Sequence, residues 1–486
     1  MQKNPKKTSG VSGTLGTQGT SGTSGTSGTS GASGEVSGEQ NKKYTVAFYT
    51  LGCRVNQYES RAAEEAFAAK GFEIRNFDEP CDVYVINTCT VTAESDRKSR
   101  QMIRRARRTG GKKAVVLAMG CMVQTAPDDA YKMPELDFAV GNRDKMSLAE
   151  AALNILGGAF PERKVKVNPS ESFACMENMN ITGADNSRAF LKICDGCDNS
   201  CSYCVIPKAR GPVFSKKPEE VCSEVAALSG AGLREVVLTG IETAAYGKDT
   251  KNENLISLLE KVDSLDTGIL RIRMGSLEPT VIRDESRVKR LALLGKLMPH
   301  YHLSLQSGCD NVLAAMKRKY NTRMFFDIVR SLRRNIPDVT VTTDIIVGFP
   351  GETDEMFKET LDFVRKCRFL YIHIFPYSDR AGTQASEMDG KLDEQTKKRR
   401  AAELKKVMLC SRREVLAGFV GTSRSVLVEK IENGKAFGYT DNYIETVTDV
   451  SAVENVQVNS LINVKILGIS DDASCANAEY VRTEVF

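Results

Sequence analysis

The chain has 486 residues, with 67 Lys and Arg against 62 Asp and Glu, a net charge of +5 and 41% hydrophobic residues. This composition is typical of a globular protein of two to four domains, and the sequence has no apolar run of about 18 residues that would predict a membrane span. We therefore expect a cytoplasmic protein with no membrane partner, whose 14 cysteines serve metal binding or catalysis before disulfides.

The N-terminal segment is rich in Gly, Ser and Thr in short repeats, and the first aromatic residue is Tyr44. A segment of this kind has too few apolar side chains to form a core. We expect a disordered tail over residues 1–43 and folded structure from residue 44 onward.

Residues 44–150 alternate short apolar runs with helical patterns, which predicts an N-terminal doubly wound parallel α/β domain. A cysteine directly follows each of three predicted strands: Cys53, Cys89 and Cys121. Because the carboxyl ends of parallel strands share one edge of a sheet, we expect the three thiols to converge there. The alternative is that they are buried packing residues, as free cysteines often are.

One predicted helix of this domain, near residues 97–113, is dense in positive charge. Such a cluster attracts a phosphate backbone in a salt-dependent way, so we predict an RNA contact. The alternative is a solvated or partner-facing surface. The candidate residues are Arg100, Arg104, Arg105, Arg107 and Arg108.

A linker is expected over residues 151–187, followed by a second strand–helix series over residues 188–415. Its six units predict a partial (β/α)6 barrel rather than a full barrel of eight. Strands are predicted near residues 188–194, 234–239, 269–275, 301–305, 339–347 and 369–375. Helices are predicted near residues 217–230, 253–265, 286–296, 322–335 and 353–367.

The loop after the first of these strands contains Cys197, Cys201 and Cys204 in the spacing C-x3-C-x2-C. Three thiolates hold three irons of a 4Fe–4S cluster and leave the fourth iron open to a small molecule, whereas an electron-carrying cluster normally has four cysteines. The loop therefore indicates a catalytic iron–sulfur site. A structural zinc site, with Cys194 as an extra thiol, is the alternative.

A charged helix is predicted near residues 393–418, and after it the helical patterns give way to short strand patterns. Short strand patterns separated by turns predict a small β-barrel over residues 416–486. Modules of this kind are common carriers of RNA contacts.

These motifs together resemble those of the radical S-adenosylmethionine (SAM) methylthiotransferases, from about Tyr44 to the C-terminus. The C-terminal module resembles an RNA-binding TRAM domain. The resemblance rests on TLGCRVNQYES from Thr50, NTCTVTAESDRKSRQMIRRA from Asn87, MGCMVQ from Met119, DGCDNSCSYCVIPKARGP from Asp195, GSLEP from Gly275, HLSLQSG from His302, TDIIVGFPGET from Thr343 and HIFPYSDRAGT from His373.

The resemblance implies SAM and two 4Fe–4S clusters as cofactors. The catalytic cluster would be held by Cys197, Cys201 and Cys204, which would make SAM a source of the 5′-deoxyadenosyl radical. An auxiliary cluster associated with sulfur delivery would be held by Cys53, Cys89 and Cys121. The implied reaction is 2-methylthiolation of N6-threonylcarbamoyladenosine next to the anticodon of tRNA, with an unidentified reductant and sulfur donor.

The resemblance also suggests contacts to SAM at the ends of barrel strands. Glycine turns there allow close backbone approach, and a serine hydroxyl there is placed to reach a ribose or carboxylate; plain strand-to-helix turns are the alternative. Just past the cluster loop, Lys208 and Arg210 are expected either to meet a carboxylate or phosphate or to be solvated. The cofactor candidates are Gly240, Ser276, Gly348 and Gly351.

Two features depart from the family pattern. Cys194 stands where the family has glutamine, and the segment GIETAAYG from Gly240 differs as well, with Glu242 as a candidate contact to the SAM amino group. The alternative functions are a methylthiotransferase for isopentenyladenosine in tRNA, one for an aspartate of a ribosomal protein, and a non-catalytic RNA-binding protein with structural metal.

Overall fold

The computed structural model describes residues 43–184, 187–250 and 253–481. The predicted disordered tail lies outside these residues, apart from Lys43. The chain from Lys43 onward forms one compact unit. No helix within the described ranges is both long and apolar enough to cross a membrane.

The N-terminal part is a six-stranded parallel sheet with helices on both faces, which confirms the predicted doubly wound domain. Its strands are β1 (Thr45–Thr50), β2 (Glu73–Arg75), β3 (Val83–Thr88), β4 (Val115–Gly120), β5 (Phe138–Val140) and β6 (Val165–Lys166). Its helices are α1 (Arg54–Ala69), α2 (Ala93–Gly110), α3 (Cys121–Thr125), α4 (Pro127–Tyr131) and α5 (Leu148–Leu156).

The strand order of this sheet is β2-β1-β3-β4-β5-β6. The central strands β3 and β4 are buried at every position, which explains why they form continuous apolar runs in the sequence. The edge strand β6 falls within residues 151–187, the segment expected to be a linker. A strand of two residues is too short to show the alternation of apolar and polar residues that identifies strands, so the sequence does not predict it.

The central part is the partial (β/α)6 barrel that the sequence predicts. Its main parallel strands are β7 (Arg188–Asp195), β9 (Glu235–Gly240), β10 (Arg271–Met274), β12 (His300–Gln306), β13 (Thr340–Val347) and β14 (Tyr371–Pro376). With two short edge strands, β8 (Phe214–Ser215, antiparallel to β7) and β11 (Ser276–Leu277, parallel to β12), they form two four-stranded sheets in the orders β10-β9-β7-β8 and β11-β12-β13-β14. Its helices are α6 (Ile206–Arg210), α7 (Pro218–Gly230), α8 (Leu255–Asp263), α9 (Glu285–Ala292), α10 (Asp310–Ala315), α11 (Thr322–Asn335), α12 (Asp354–Cys367) and α13 (Glu394–Ala417).

The C-terminal part is a closed five-stranded barrel, which confirms the predicted small β-barrel. Its strands are paired in the order β15-β16-β17-β19-β18, with β17 and β19 parallel and the other pairs antiparallel. The bounds are β15 (Ser423–Glu432), β16 (Lys435–Thr440), β17 (Glu445–Asp449), β18 (Leu461–Ile469) and β19 (Ala476–Tyr480).

Candidate active site

The first cysteine triad converges at the carboxyl edge of the N-terminal sheet. Cys53, Cys89 and Cys121 follow the adjacent strands β1, β3 and β4. The thiol of Cys121 contributes to the raised pKa of Cys53, and the thiols of Cys121 and Cys53 contribute to the raised pKa of Cys89. Burial is the larger cause, and it raises the pKa of Cys89 to about 12. The three predicted thiols therefore share one site, and their role as iron ligands stays a prediction.

Two glycines shape the turns that carry this triad. Gly52 has a φ of +99°, and a Cβ there would lie 2.8 Å from the Sγ of Cys89. Gly120 has a φ of +104°, and a Cβ there would lie 2.6 Å from Oδ1 of Asn87. Because L residues rarely adopt such φ values and the space is filled, both turns require glycine.

The second triad lies on the loop between β7 and α6. Cys197, Cys201 and Cys204 are partly exposed, and their thiols also interact electrostatically. Burial, the largest cause, raises the pKa of Cys197 to about 12 and that of Cys204 to about 11. Metal binding would have to displace these thiol protons.

Cys194 is not part of the second triad. It is fully buried in β7, its Sγ donates to the carbonyl of Glu242 (3.5 Å), and a Cβ on Gly240 would lie 2.4 Å from that Sγ. Burial, and then the charges of Asp195 and Glu242, raise the pKa of this thiol well above its usual value. Cys194 is therefore a neutral packing group, which removes the fourth ligand of the zinc alternative.

Each triad receives an N–H group from an arginine. Nε of Arg210 donates to the Sγ of Cys121 (3.3 Å), and Nη1 of Arg318 donates to the Sγ of Cys201 (3.1 Å). Hydrogen bonds to cysteine sulfur are among the features that set the potential of iron–sulfur clusters. Two converging triads with cationic donors aimed at their sulfurs fit the two predicted clusters.

Arg210 is fully buried and belongs to an ionic network that spans two domains. Its Nη1 donates to Glu59 (2.5 Å) and to Asp195 (3.2 Å), and Lys192 donates to the same two carboxylates at 2.9 and 3.1 Å. Lys145 also pairs with Glu59. The sequence left open whether Arg210 meets a carboxylate or phosphate or is solvated. In the structure this side chain is buried and pairs with the carboxylates of Glu59 and Asp195.

The basic side chains of this network lower the pKa of its two carboxyl groups. Burial alone would raise the pKa of Glu59, but Arg210 and the two lysines hold it well below its usual value. Burial would also raise the pKa of Asp195, but Lys192, Arg210 and Lys145 outweigh it and lower this pKa to about 2. Three fully buried basic side chains, together with Arg143 at 3.9 Å from Asp195, thus face two carboxylates, so the network has an excess of positive charge beside the thiol of Cys121.

One short segment touches both triads. The five-residue helix α6 begins two residues after Cys204 and ends at Arg210, which contacts Cys121. The next residue, Gly211, accepts a hydrogen bond from the backbone N–H of Cys197 (3.0 Å). The two sites are therefore neighbours, which cysteine spacing alone does not reveal.

A second set of charged side chains lies near Cys201, and the sequence did not predict most of it. Arg318 also approaches Glu278 (4.0 Å), and Glu242 accepts from the amide of Asn199 (2.8 Å). Burial, and then the charge of Glu278, raise the pKa of Glu242 to about 7. The predicted SAM contact Glu242 thus lies at the cluster loop. Arg318 and Glu278 have no local motif that would single them out.

The four proposed cofactor turns all lie at carboxyl ends of barrel strands. The hydroxyl of Ser276 is exposed and lies 2.8 Å from that of Ser304. The N–H groups of Gly348 and Gly351 are used internally: they donate to Glu352 (2.7 Å) and to the carbonyl of Gly390 (3.0 Å). Gly240 packs against Cys194, as described above. Contacts of these residues to SAM stay predictions.

The basic surface of α2 is largely paired with acidic side chains of its own domain. The pairs are Arg100 with Asp129, Arg104 with Glu135, Arg105 with Asp78 and Arg107 with Asp137. Arg107 also donates to the carbonyl of Ala114 (2.6 Å), so it fastens the helix to the loop before β4. A contact of these arginines with RNA stays a prediction.

Comparison with known proteins shows which family the chain belongs to. Residues 191–364 match the radical SAM superfamily and residues 45–141 match an uncharacterized protein family, UPF0004. The threonylcarbamoyladenosine tRNA methylthiotransferase of Bacillus subtilis is 39% identical over 87% of this chain and 94% of that protein. The chain belongs to the methylthiotransferase family. The family resemblance of the motifs is thereby confirmed.

Other methylthiotransferases align over similar lengths. The Aquifex aeolicus protein with the same name is 39% identical over 87% of this chain and 100% of that protein. A tRNA-2-methylthio-N(6)-dimethylallyladenosine synthase of Pelotomaculum thermopropionicum is 34% identical over 82% of this chain and 90% of its own. The family thus includes relatives named for two different N6 substituents.

A solved structure shares the fold of this methylthiotransferase. A radical SAM methyltransferase from Kitasatospora setae superimposes with a TM-score of 0.52, covering 71% of this chain and 75% of its own at 17% identity. The similarity supports the radical SAM architecture.

Proposed function

We propose that this protein methylthiolates C2 of N6-threonylcarbamoyladenosine next to the anticodon of tRNA, using SAM and two 4Fe–4S clusters. Relatives of that name align along 94% and 100% of their own length, which supports the same substrate here. tRNA is then the macromolecular partner. The reaction also needs a reductant and a sulfur donor.

The joining of two three-cysteine sites by helix α6 is the observation that carries this proposal. A site that only generates a radical has no place to hold sulfur. A second metal site beside it would give the activated substrate carbon a nearby sulfur source. This pairing separates a methylthiotransferase from a simple radical enzyme and from an RNA-binding protein with structural zinc.

When bound, the two clusters supply the electron that cleaves SAM and a metal site for sulfur. The chain's own residues hold and shield these groups. Arg318 orients Cys201, and Arg210 orients Cys121 while neutralising Glu59 and Asp195. Because both arginine side chains are at least 93% buried, each N–H···S contact is protected from competing water.

Anaerobic reconstitution of the purified protein tests the function. Anticodon stem-loops carrying threonylcarbamoyladenosine or isopentenyladenosine are incubated with SAM and reductant, and nucleosides are analysed by mass spectrometry. We expect the methylthio product only from the threonylcarbamoyl substrate, and none from the Cys201→Ala variant. Product from the isopentenyl substrate alone would assign the other tRNA activity, and failure to cleave SAM would rule out the enzyme class.

A further inference from the structure

Three adjacent strands of the central barrel gather all the histidines of this chain around one carboxylate. There are 3 histidines in 486 residues: His300 and His302 on β12 and His373 on β14. Strand β13 lies between these strands and carries Asp344, which is the register partner of His373. Side chains that share a face on neighbouring strands are close enough to interact. His302, Asp344 and His373 are called the His–Asp–His cluster below.

This cluster faces the interior of the barrel. The residues next to its members in sequence, Leu303, Ile345 and Ile372, belong to the hydrophobic core that also contains side chains of the helices α11 and α12. Because successive residues of a strand point to opposite faces of the sheet, the cluster lies on the face turned away from these helices. It contains no cysteine of either triad.

The ligand atoms of the cluster are spaced for a single ion. Nε2 of His302 lies 3.1 Å from Oδ2 of Asp344, and one ligand atom from each of the three residues lies within 4.8 Å of the others. Bonds of about 2.0–2.1 Å in tetrahedral geometry place nitrogen and oxygen ligands roughly 3.3 Å apart. The His302–Asp344 pair already has this spacing, and a small rotation of the exposed His373 ring closes the remaining gap.

His302 is held in an orientation that suits a metal ligand. Its side chain is 14% exposed, and its Nδ1 lies 3.0 Å from the hydroxyl of Thr342, which also lies 3.0 Å from Nε2 of His300. This hydroxyl can accept from Nδ1–H of His302 while it donates to His300. A hydrogen bond at the second ring nitrogen is typical of metal-bound histidine, because it fixes the tautomer and leaves the other nitrogen unprotonated.

The charge of the cluster favours a cation. Within the described ranges, no lysine or arginine nitrogen lies within 4.0 Å of the Asp344 carboxylate, which pairs with His302. The carboxylates of Glu59 and Asp195, by contrast, are neutralised by Arg210. The imidazole of His373 makes no hydrogen bond to any residue that the structure describes. One carboxylate and two imidazoles thus offer negative charge and a free nitrogen to an ion that enters the barrel.

We propose that His302, Asp344 and His373 bind a divalent transition-metal ion, for which zinc is the best match. Two imidazoles and one carboxylate form the ligand set of many zinc and non-haem iron sites, and such sites bind zinc more tightly than ferrous iron. Three protein ligands leave a coordination position for water or for an oxygen of a molecule inside the barrel. The site is additional to the two predicted clusters and does not depend on which tRNA base is modified.

Zinc binding tests the inference without requiring turnover. The cluster-reconstituted protein is equilibrated anaerobically with Zn²⁺ and a competing chelator, and the zinc and iron per chain are measured by mass spectrometry. The wild type is expected to bind one zinc ion at the cluster. His373→Gln and Asp344→Asn should each lower the zinc affinity at least about tenfold, and Thr342→Val should also weaken it roughly tenfold by releasing the His302 ring. Unchanged iron content would show that the cysteine sites remain intact.

Asp327→Asn is the matched control, because it removes the same charge from an exposed residue on the outer helix α11. Its zinc affinity should equal that of the wild type. X-ray absorption at the zinc edge identifies the ligands of the bound ion: we expect nitrogen and oxygen at about 2.0–2.1 Å and no sulfur at about 2.3 Å. A wild type that binds no zinc, equal affinity in His373→Gln and the wild type, or sulfur among the ligands would overturn the inference.

Discussion

The sulfur atoms of the two triads are distinguished by the arginines that contact them. Arg210 is fully buried and is held by Glu59 and Asp195, so its N–H is fixed relative to Cys121. A fixed cationic donor beside a cysteine sulfur stabilises extra electron density on a cluster. Side chains that are distant in sequence from Cys121 thus determine the hydrogen bonding and charge around this candidate ligand, which the motifs alone identify.

Arg210→Gln should therefore change both folding and redox behaviour. Removing one partner of a buried ion network costs about 3–5 kcal/mol of unfolding free energy, because the remaining charges are left uncompensated. Loss of the N–H···S contact should also shift the potential of the first-triad cluster to a more negative value. Denaturant unfolding and an EPR-monitored redox titration measure the two effects. Lys208→Gln, an exposed charge loss on the same helix, should change neither.

Cys194→Ser should leave the iron content at about eight per chain. Its sulfur is fully buried, packs against Gly240 and donates to the carbonyl of Glu242, so it already has a partner within the protein. Cys201→Ser, by contrast, should lose about half of the iron. A loss of iron in Cys194→Ser would show that this thiol is a ligand and that its packing role is misassigned.

At the scale of elements, the turns after β1 and β4 hold the first triad. Gly52 and Gly71 both have positive φ, at +99° and +88°, but only Gly52 has close neighbours. Alanine at either position should cost roughly 1–2 kcal/mol through backbone strain. Only Gly52→Ala should also displace Cys89 and reduce the iron to about four per chain. Equal iron content in the two variants, measured after reconstitution, would contradict this role of the turn.

The strands of the core were predictable because burial on both faces makes them continuous apolar runs. Strand β19 has little apolar signal in the sequence, because it alternates the small buried Ala476 and Ala478 with polar residues. The candidate cysteines could be identified from the sequence because each follows a recognisable strand or stands in a local spacing, and their role as iron ligands stays a prediction. Glu59 was not, because a carboxylate on α1 looks like a solvated helix residue until the partner Arg210, 151 residues away, is placed against it.

At the scale of the whole molecule, the C-terminal barrel is fastened to the amino end of the central barrel. Arg273 on β10 donates to the carbonyls of Thr440 and Asp441 at 2.8 Å and pairs with Glu235 (3.0 Å). Its side chain is 2% exposed. A module so attached is held in a fixed orientation relative to the central barrel. Strand patterns separated by turns predicted the module, and no local signal in the sequence indicates this attachment.

Arg273→Gln should loosen the C-terminal barrel without unfolding the cysteine sites. The variant loses its ion pair with Glu235 and at least one of two carbonyl contacts, a change of several kcal/mol at a buried position. Hydrogen exchange should increase across β15 to β19 while iron content stays unchanged. Arg290→Gln, which breaks the exposed pair with Glu260, is the control and should have little effect.

We propose that the two cysteine sites divide the reaction between them, and one assay that measures both methylthio product and SAM cleavage tests this directly. The wild type and a Cys53→Ala, Cys89→Ala, Cys121→Ala triple variant are reconstituted and given SAM, reductant and threonylcarbamoyl stem-loop. The wild type should form 2-methylthio product. The triple variant should still cleave SAM but form no methylthio nucleoside. Methylthio product from the triple variant would contradict the assignment of the first triad to sulfur insertion.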